Sequence, residues 1–268
     1  EALGLAHAWT YDHLTWRGFR DRAWFGAVPT LAAAASVTGR IGLGTLVASP
    51  NFRHPLPFVK DLVTLDDLSG GRIVAGIGAG GEGWDATVMG QRPWSRRERA
   101  ERFAEFVELT DLLLRVPAVS WHGRYYEVEE ARTYPGCVRS PRLPLAVAAT
   151  GPKGLGLAAR FGDLWVTTGP PGVTAPLPVA EGVTLVASQL AGLDEACRAV
   201  GRDPAGIGRL VLTGPGLDPG LGSVEEFRDA VGRYEEIGVT DLVVHWPRED
   251  EPYRADETVF ERAVASTS

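Results

Sequence analysis

Residues 65–80 read LDDLSGGRIVAGIGAG. They close a stretch with apolar residues at helical spacing, Pro57 to Leu68 (PFVKDLVTLDDL), and pass through Ser69-Gly70-Gly71-Arg72 into the apolar run Ile73 to Ile77 (IVAGI). A helical period, a glycine stop and a short apolar run in succession read as helix, tight turn and buried strand. The same order occurs just upstream. Pro29 to Thr38 is an alanine-rich helix starting near a proline, and Ile41 to Val47 (IGLGTLV) follows at once as a buried strand. Repeated alternation of this kind predicts βα units and a parallel sheet.

Working outward, His7 to Tyr11 is a strand candidate ending at Asp12, and Arg96 to Leu114 is the clearest helix. Phe103, Phe106, Val107, Thr110, Leu113 and Leu114 line one side of it. Trp121 to Glu129 (WHGRYYEVE) reads as a small hairpin or extended excursion. Strands are expected at Leu143–Ala149, Asp163–Thr167, Leu210–Thr213 and Asp241–His245. Helices are expected at Lys153–Phe161, within Val183–Val200, at Val224–Ile237 and at Glu257–Ala265. A TIM (β/α)8 barrel needs eight strands, and this count finds one fewer. The missing first strand is expected upstream of Glu1, because the chain starts without Met and Glu1 to Leu5 reads as the tail of a helix entering a strand. A doubly wound open sheet is the competing α/β arrangement. No GxGxxG run that opens a helix directly after a strand is read here, so the barrel is preferred. One domain over residues 1–268 is expected, with an excursion around 80–142 between strands 4 and 5 and a loop region around 169–182.

Composition narrows the function classes. The formal charge is -7, with acids and bases spread along the chain, which gives no support to a nucleic-acid footprint. No segment has eighteen uninterrupted apolar residues, so no membrane partner is expected. Cys137 and Cys197 are the only cysteines. That is not a disulfide framework, and a reducing, cytoplasmic setting is the default. No cluster of His and Cys has metal-ligand spacing, so no metal is expected.

Loops after barrel strands are where this architecture places chemistry. The stretch WTYDHLTWRG, residues 9–18, ends an aromatic strand in Asp12 and His13. An imidazole titrates near neutral pH and suits proton transfer. A histidine bonded to a loop is the plainer reading, as is a turn aspartate for Asp12. His245 is a second imidazole at a strand end. Gly76, Gly78, Gly80 and Gly81 allow close approach to a flat ring, or simply a sharp turn. Gly151-Pro152-Lys153-Gly154 opens a helix after a strand, where N–H groups can cradle a phosphate. Thr167-Thr168-Gly169 offers further donors. Trp84, Trp94 and the WHGRYYEVE segment could line a substrate mouth or pack an insertion.

Asp12-His13, Ile41-Gly42-Leu43-Gly44-Thr45, Leu65–Arg72 before Gly76–Gly80, and Gly162-Asp163-Leu164-Trp165-Val166 follow one another along nearly the whole chain. In this order and spacing the sequence resembles the bacterial-luciferase-like superfamily of flavin- and deazaflavin-dependent oxidoreductases. The resemblance implies a TIM barrel, usually a homodimer, that binds FMN or the deazaflavin F420 at the C-terminal ends of the strands. Members with F420 move hydride to or from alcohols, imines or enones. Members with FMN work as monooxygenases, with reduced flavin supplied by a partner reductase.

The resemblance also assigns residues. His13 matches a histidine that removes a hydroxyl proton, and Asp12 lies beside the cofactor. Thr45, Leu46 and Val47 match a strand end that carries a non-proline cis bond behind the ring, between Leu46 and Val47. Gly78, Ala79 and Gly80 form the cofactor loop, while Gly151, Pro152, Thr167 and Thr168 hold its phosphate. Trp16 stands one residue closer to the histidine than an active-site tryptophan of the relatives; with Trp84 and His245 it is a candidate substrate wall. The dehydrogenase relatives place a proton-donating glutamate at the position of Gly81; either Glu82 takes that role from a shifted loop or the acid is absent, which speaks against sugar-phosphate dehydrogenation. The expectation is an F420-dependent oxidoreductase acting on a small-molecule substrate, with a flavin or F420 reductase as possible supplier. An FMN-dependent luciferase-like monooxygenase is the alternative.

Overall fold

The structure is a computed structural model. It describes the chain except residues 16–20, 83, 171–174, 215, 250–252 and 268, and the side chain of Trp84. The described chain divides into two compact units, Ala6–Ala148 and Glu1–Leu5 with Ala149–Ser268.

In the unit Ala6–Ala148 the elements follow in the order β1 (His7–Thr10), α1 (Ala27–Val37), β2 (Gly42–Ala48), α2 (Pro55–Ser69), β3 (Ile73–Gly78), α3 (Arg96–Arg115), β4 (Ala118–His122), β5 (Glu127–Arg132) and β6 (Leu145–Ala148). Strands β1, β2, β3 and β6 are neighbours in that order and all parallel. The excursion expected around 80–142, between the fourth and fifth strands of that count, contains the antiparallel pair β4 and β5, joined across Gly123–Tyr126. Phe58, Leu62, Leu65, Phe106, Leu109 and Leu113 are fully buried, and helix α2 packs against both α1 and α3.

The opening stretch folds as its pattern predicts, for local reasons. Helix α2 starts with Pro55 at its first turn and ends at Gly70, whose φ of 66° is the left-handed cap that glycine adopts without strain. Arg72 then reaches back to α1. Its guanidinium donates to the carbonyls of Ala35, Thr38 and Ile41 at 3.1, 3.0 and 2.9 Å. Those of Ala35 and Thr38 are oxygens that the end of a helix leaves unpaired. Helix α3 opens on a reciprocal cap between Ser95 and Glu98.

Strands β2 and β3 interlock closely. Their register breaks between Thr45 and Ala48, where the Leu46–Val47 peptide is cis, as the resemblance implied. A Cβ on Gly76 would lie 2.0 Å from the Thr45 carbonyl oxygen, and one on Gly78 would lie 2.7 Å from Val47 Cγ2. These two glycines are therefore demanded by the neighbouring strand itself. Gly76, Gly78 and Gly81 also stand at dinucleotide-fingerprint spacing, but no helix opens there. A single 3-10 turn, Trp84–Ala86, follows, and α3 starts only at Arg96.

The other unit holds α4 (Pro152–Phe161), β7 (Leu164–Thr167), α5 (Val179–Ala199), β8 (Gly208–Leu212), α6 (Val224–Glu236), β9 (Asp241–Val243) and α7 (Glu257–Ala265). Strands β7, β8 and β9 are parallel and adjacent in that order. Trp165 is fully buried, and its indole N–H donates to the Ala149 carbonyl at 2.7 Å. Helix α4 packs on α5 and α6 on α7. The last strand stops at Val243, before His245, and α5 begins at Val179, inside the expected 169–182 loop. Both units are α/β, and apart from the β4–β5 hairpin their strand pairs are parallel. No helix among the described residues is long and apolar enough to cross a membrane, and no group of three or more His, Cys, Asp or Glu among them could hold a metal ion.

Candidate active site

Strand β1 delivers the chain into a turn at Tyr11-Asp12-His13-Leu14. Asp12 is buried, and both of its carboxylate oxygens accept from Arg53, at 2.9 Å from Nε and 2.7 Å from Nη2. This is the two-pronged geometry that suits guanidinium and carboxylate. Burial works against the Arg53 charge, yet the bonds and charge of Asp12, with Asp61 behind, raise its pKa overall. Asp12 therefore does not orient His13 through a bond of its own. Its partner is the arginine that follows β2.

His13 has a different carboxylate. Its Nδ1 bonds to Oδ2 of Asp85, and Oδ1 of the same carboxylate accepts from the backbone N–H of Leu14 at 2.9 Å. Asp85 sits in the 3-10 turn after β3 and is buried. The indole N–H of Trp24 donates to the His13 carbonyl at 3.0 Å. The Trp24 ring stacks on Tyr11, with centroids 6.2 Å apart. The turn is thus gripped by Asp85 and by Trp24, and the imidazole keeps a third of its surface in solvent.

Thr45, paired with Thr10 of β1, is buried and its hydroxyl donates to the Gly76 carbonyl at 2.8 Å. Leu46 is buried, while Val47, Ala79 and Gly80 are half-buried. Asn51 donates to the Gly81 carbonyl at 3.2 Å and so ties the end of β2 to the glycine turn. Glu82 is exposed, with its carboxylate 3.0 Å from Arg99 Nη1. It is Asp85, three residues on, that reaches the histidine. Trp16 lies outside the described residues, and so does the Trp84 side chain. Trp94 sits between the guanidinium groups of Arg92 and Arg102, 4.9 and 5.0 Å from its ring centre, and meets Tyr125 edge-on. The backbone N–H groups of Tyr125 and Tyr126 donate to Glu105 of α3. This aromatic group packs the hairpin onto α3, which is the plainer of its two readings.

In the other unit, Gly151 is the N-cap of α4 and has no side-chain cap; Pro152 and Thr168 are exposed. A Cβ on Gly151 would meet nothing within 4 Å. Thr167 is buried; its hydroxyl donates to Gln189 at 2.7 Å and accepts from the Gly169 N–H at 3.2 Å. His245 stacks on Tyr253, with ring centroids 4.2 Å apart, and lies directly over Gly214. Burial is the main cause that holds its pKa down to about 4, so the ring is neutral at pH 7.

Asp85, Arg53 and Trp24 are the residues that sequence reasoning missed. Asp85 and Glu82 share one short loop, so an acid near Gly81 was a visible signal, read for Glu82 and not for Asp85. Arg53 carried a weaker one, a lone cation just beyond a buried strand. Trp24 carried none beyond being aromatic.

Residues 1–212 match the luciferase-like monooxygenase family. An F420-dependent glucose-6-phosphate dehydrogenase from Beutenbergia cavernae is 32% identical, over 94% of this chain and 86% of its own. An F420-dependent hydroxymycolic acid dehydrogenase from Mycobacterium tuberculosis is 30% identical, over 78% of this chain and 54% of its own, so the match spans about half of that relative. Among solved structures, the coenzyme F420-dependent tetrahydromethanopterin reductase from Methanopyrus kandleri superposes with a TM-score of 0.74 at 18% identity. That superposition covers 98% of this chain and 89% of the other, and it bears on the fold alone.

Proposed function

The chain belongs to the luciferase-like monooxygenase family, and from that premise we propose that it is an F420-dependent oxidoreductase moving hydride between the deazaflavin and an organic alcohol, imine or enone. The observation that carries the proposal is His13 at the end of β1, partly open to solvent and bonded to the buried Asp85. The two relatives above, both named as F420-dependent dehydrogenases, supply the cofactor class.

The residues present fit the coenzyme. Ala79 and Gly80 are small and only half-buried beyond β3, and the uncapped N-terminus of α4 stands open at Gly151. Leu46, Val47, Gly78, Ala79 and Gly80 would bear on the ring. In the other unit, taken by itself, Gly151 and Pro152 at the start of α4 and Thr168 after β7 are exposed, and a helix N-terminus favours a negative group such as a phosphate. Asp12, Thr45 and Thr167 support these loops through their internal hydrogen bonds. The coenzyme supplies a two-electron hydride acceptor, or in its reduced form a donor. In alcohol oxidation the hydroxyl O–H bond breaks and its proton passes to His13. Oxidised F420, when bound, would supply the acceptor for the hydride that leaves carbon as the C=O bond forms.

Fluorescence titration with F420 and with FMN tests the cofactor. Tight F420 binding without FMN binding supports the reading, and binding of FMN alone overturns it. His13→Ala should slow single-turnover reduction of bound F420 by substrate by about 100-fold or more. An unchanged rate would remove His13 from the chemistry. The family match itself favours a second reading, an FMN-dependent monooxygenase using O2 and reduced flavin, and the same titration separates the two. Under the first reading the chain is a single TIM (β/α)8 domain. It works in the cytoplasm as a homodimer, and an F420 reductase supplies its reduced coenzyme. Light scattering on purified protein tests the dimer.

A further inference from the structure

We infer that Asp85 sets the tautomer of His13, placing the ring hydrogen on Nδ1 and the lone pair on Nε2, so that His13 is built to accept a hydroxyl proton. The inference rests on the oxidoreductase reading for its chemistry, but its geometry stands alone. Asp85 is a positioning residue, since it acts through His13.

The two oxygens of the Asp85 carboxylate have different neighbours. Oδ1 faces backbone N–H groups, Leu14 at 2.9 Å and Thr15 at 3.4 Å. Oδ2 faces Nδ1 of His13. A carboxylate only accepts, so the hydrogen in the second bond belongs to the imidazole. A neutral imidazole carries one such hydrogen. With it on Nδ1, the basic lone pair is on Nε2. Turning the ring over would put a carbon where Nδ1 stands and lose the bond to Asp85, and Trp24 packs against the imidazole with centroids 5.9 Å apart.

The asymmetry of Asp85 makes one substitution diagnostic. In Asp85→Asn the amide oxygen must take the Oδ1 place, because two backbone N–H donors there would repel an NH2 group. The NH2 is then turned toward Nδ1 and donates to it. Nδ1 becomes the acceptor and the ring hydrogen moves to Nε2. A base toward the substrate hydroxyl becomes a donor, with little change in shape. Asp85→Glu keeps an acceptor-only partner and the original tautomer.

The test uses the full chain labelled with 15N-histidine, with His13 assigned from the signal lost in His13→Gln. Ring nitrogen shifts are read at mildly alkaline pH, without coenzyme. The expected result is hydrogen on Nδ1 in the wild type and in Asp85→Glu, and on Nε2 in Asp85→Asn. Hydrogen on Nε2 in the wild type, or the same position in wild type and Asp85→Asn, overturns the inference. With F420 and 2-propanol or glucose 6-phosphate as probe alcohols, Asp85→Asn should lower kcat by about 100-fold. KM and the Kd for F420 should stay within about threefold. Asp85→Glu should recover much of the rate. A parallel loss of F420 affinity and KM would make Asp85 a loop scaffold and overturn the inference. Failure of the wild type to bind F420 would sink the F420 reading instead, and the nitrogen shifts would still decide the tautomer.

Discussion

Arg53 and Asp12 show what a single residue contributes here. The carboxylate is buried, and the arginine meets both of its oxygens. Removing only the cation strands a buried charge, which costs about 3–5 kcal/mol. Arg53→Leu should therefore show a large drop in unfolding free energy in urea. Asp12→Leu combined with Arg53→Leu should cost less than the two single variants added together, since neither leaves a stranded partner. A loss below about 1 kcal/mol in Arg53→Leu would mean that the pair is not buried as described. That an acid closes β1 was legible from WTYDHL. Which cation meets it was not, because the two residues are 41 apart in sequence and no local pattern links them.

At the scale of elements, the interlock of β2 with β3 is the tightest constraint. A methyl group on Gly76 would press on the Thr45 carbonyl, and a backbone oxygen in a strand has little freedom to yield. Gly76→Ala should cost roughly 1–3 kcal/mol or more, read as a lowered Tm. Ser95→Ala removes one half of the α3 cap and should cost about 1 kcal/mol. Helices and strands were legible nearly to their ends. The periods that define them, and stops such as Gly70, act over a few residues. The reason for the glycine block was legible only in part. It reads equally as room for a ring or as a sharp turn, and the structure adds the demand of a neighbouring strand that the sequence places 31 residues away.

For the molecule as a whole, the histidines set how stability responds to acid. Burial lowers the pKa of His54 and takes that of His245 down to about 4. Both titrate near 6.5 in an unfolded chain. Below that value the unfolded state binds more protons than the folded one. Their contribution is complete above about pH 6.5 and is lost as pH falls, toward about 4 for His245. Protonation of His54 also removes the acceptor that caps α2 at the Leu56 N–H. Urea midpoints between pH 7.5 and 4.5 should fall steadily. His54→Asn, which keeps a cap acceptor, and His245→Gln should each flatten that slope. An unchanged slope in both variants would show that other groups govern it. By itself the sequence determined the order of helices and strands, their parallel alternation and the strand-end position of His13, because each follows from periodicity and turn chemistry within a short window. Only the tertiary structure decided that Asp12 faces Arg53 and that Asp85, 72 residues along the chain, faces His13. A side-chain bond between distant segments depends on backbone direction to within an ångström, and no pattern within one segment carries that information.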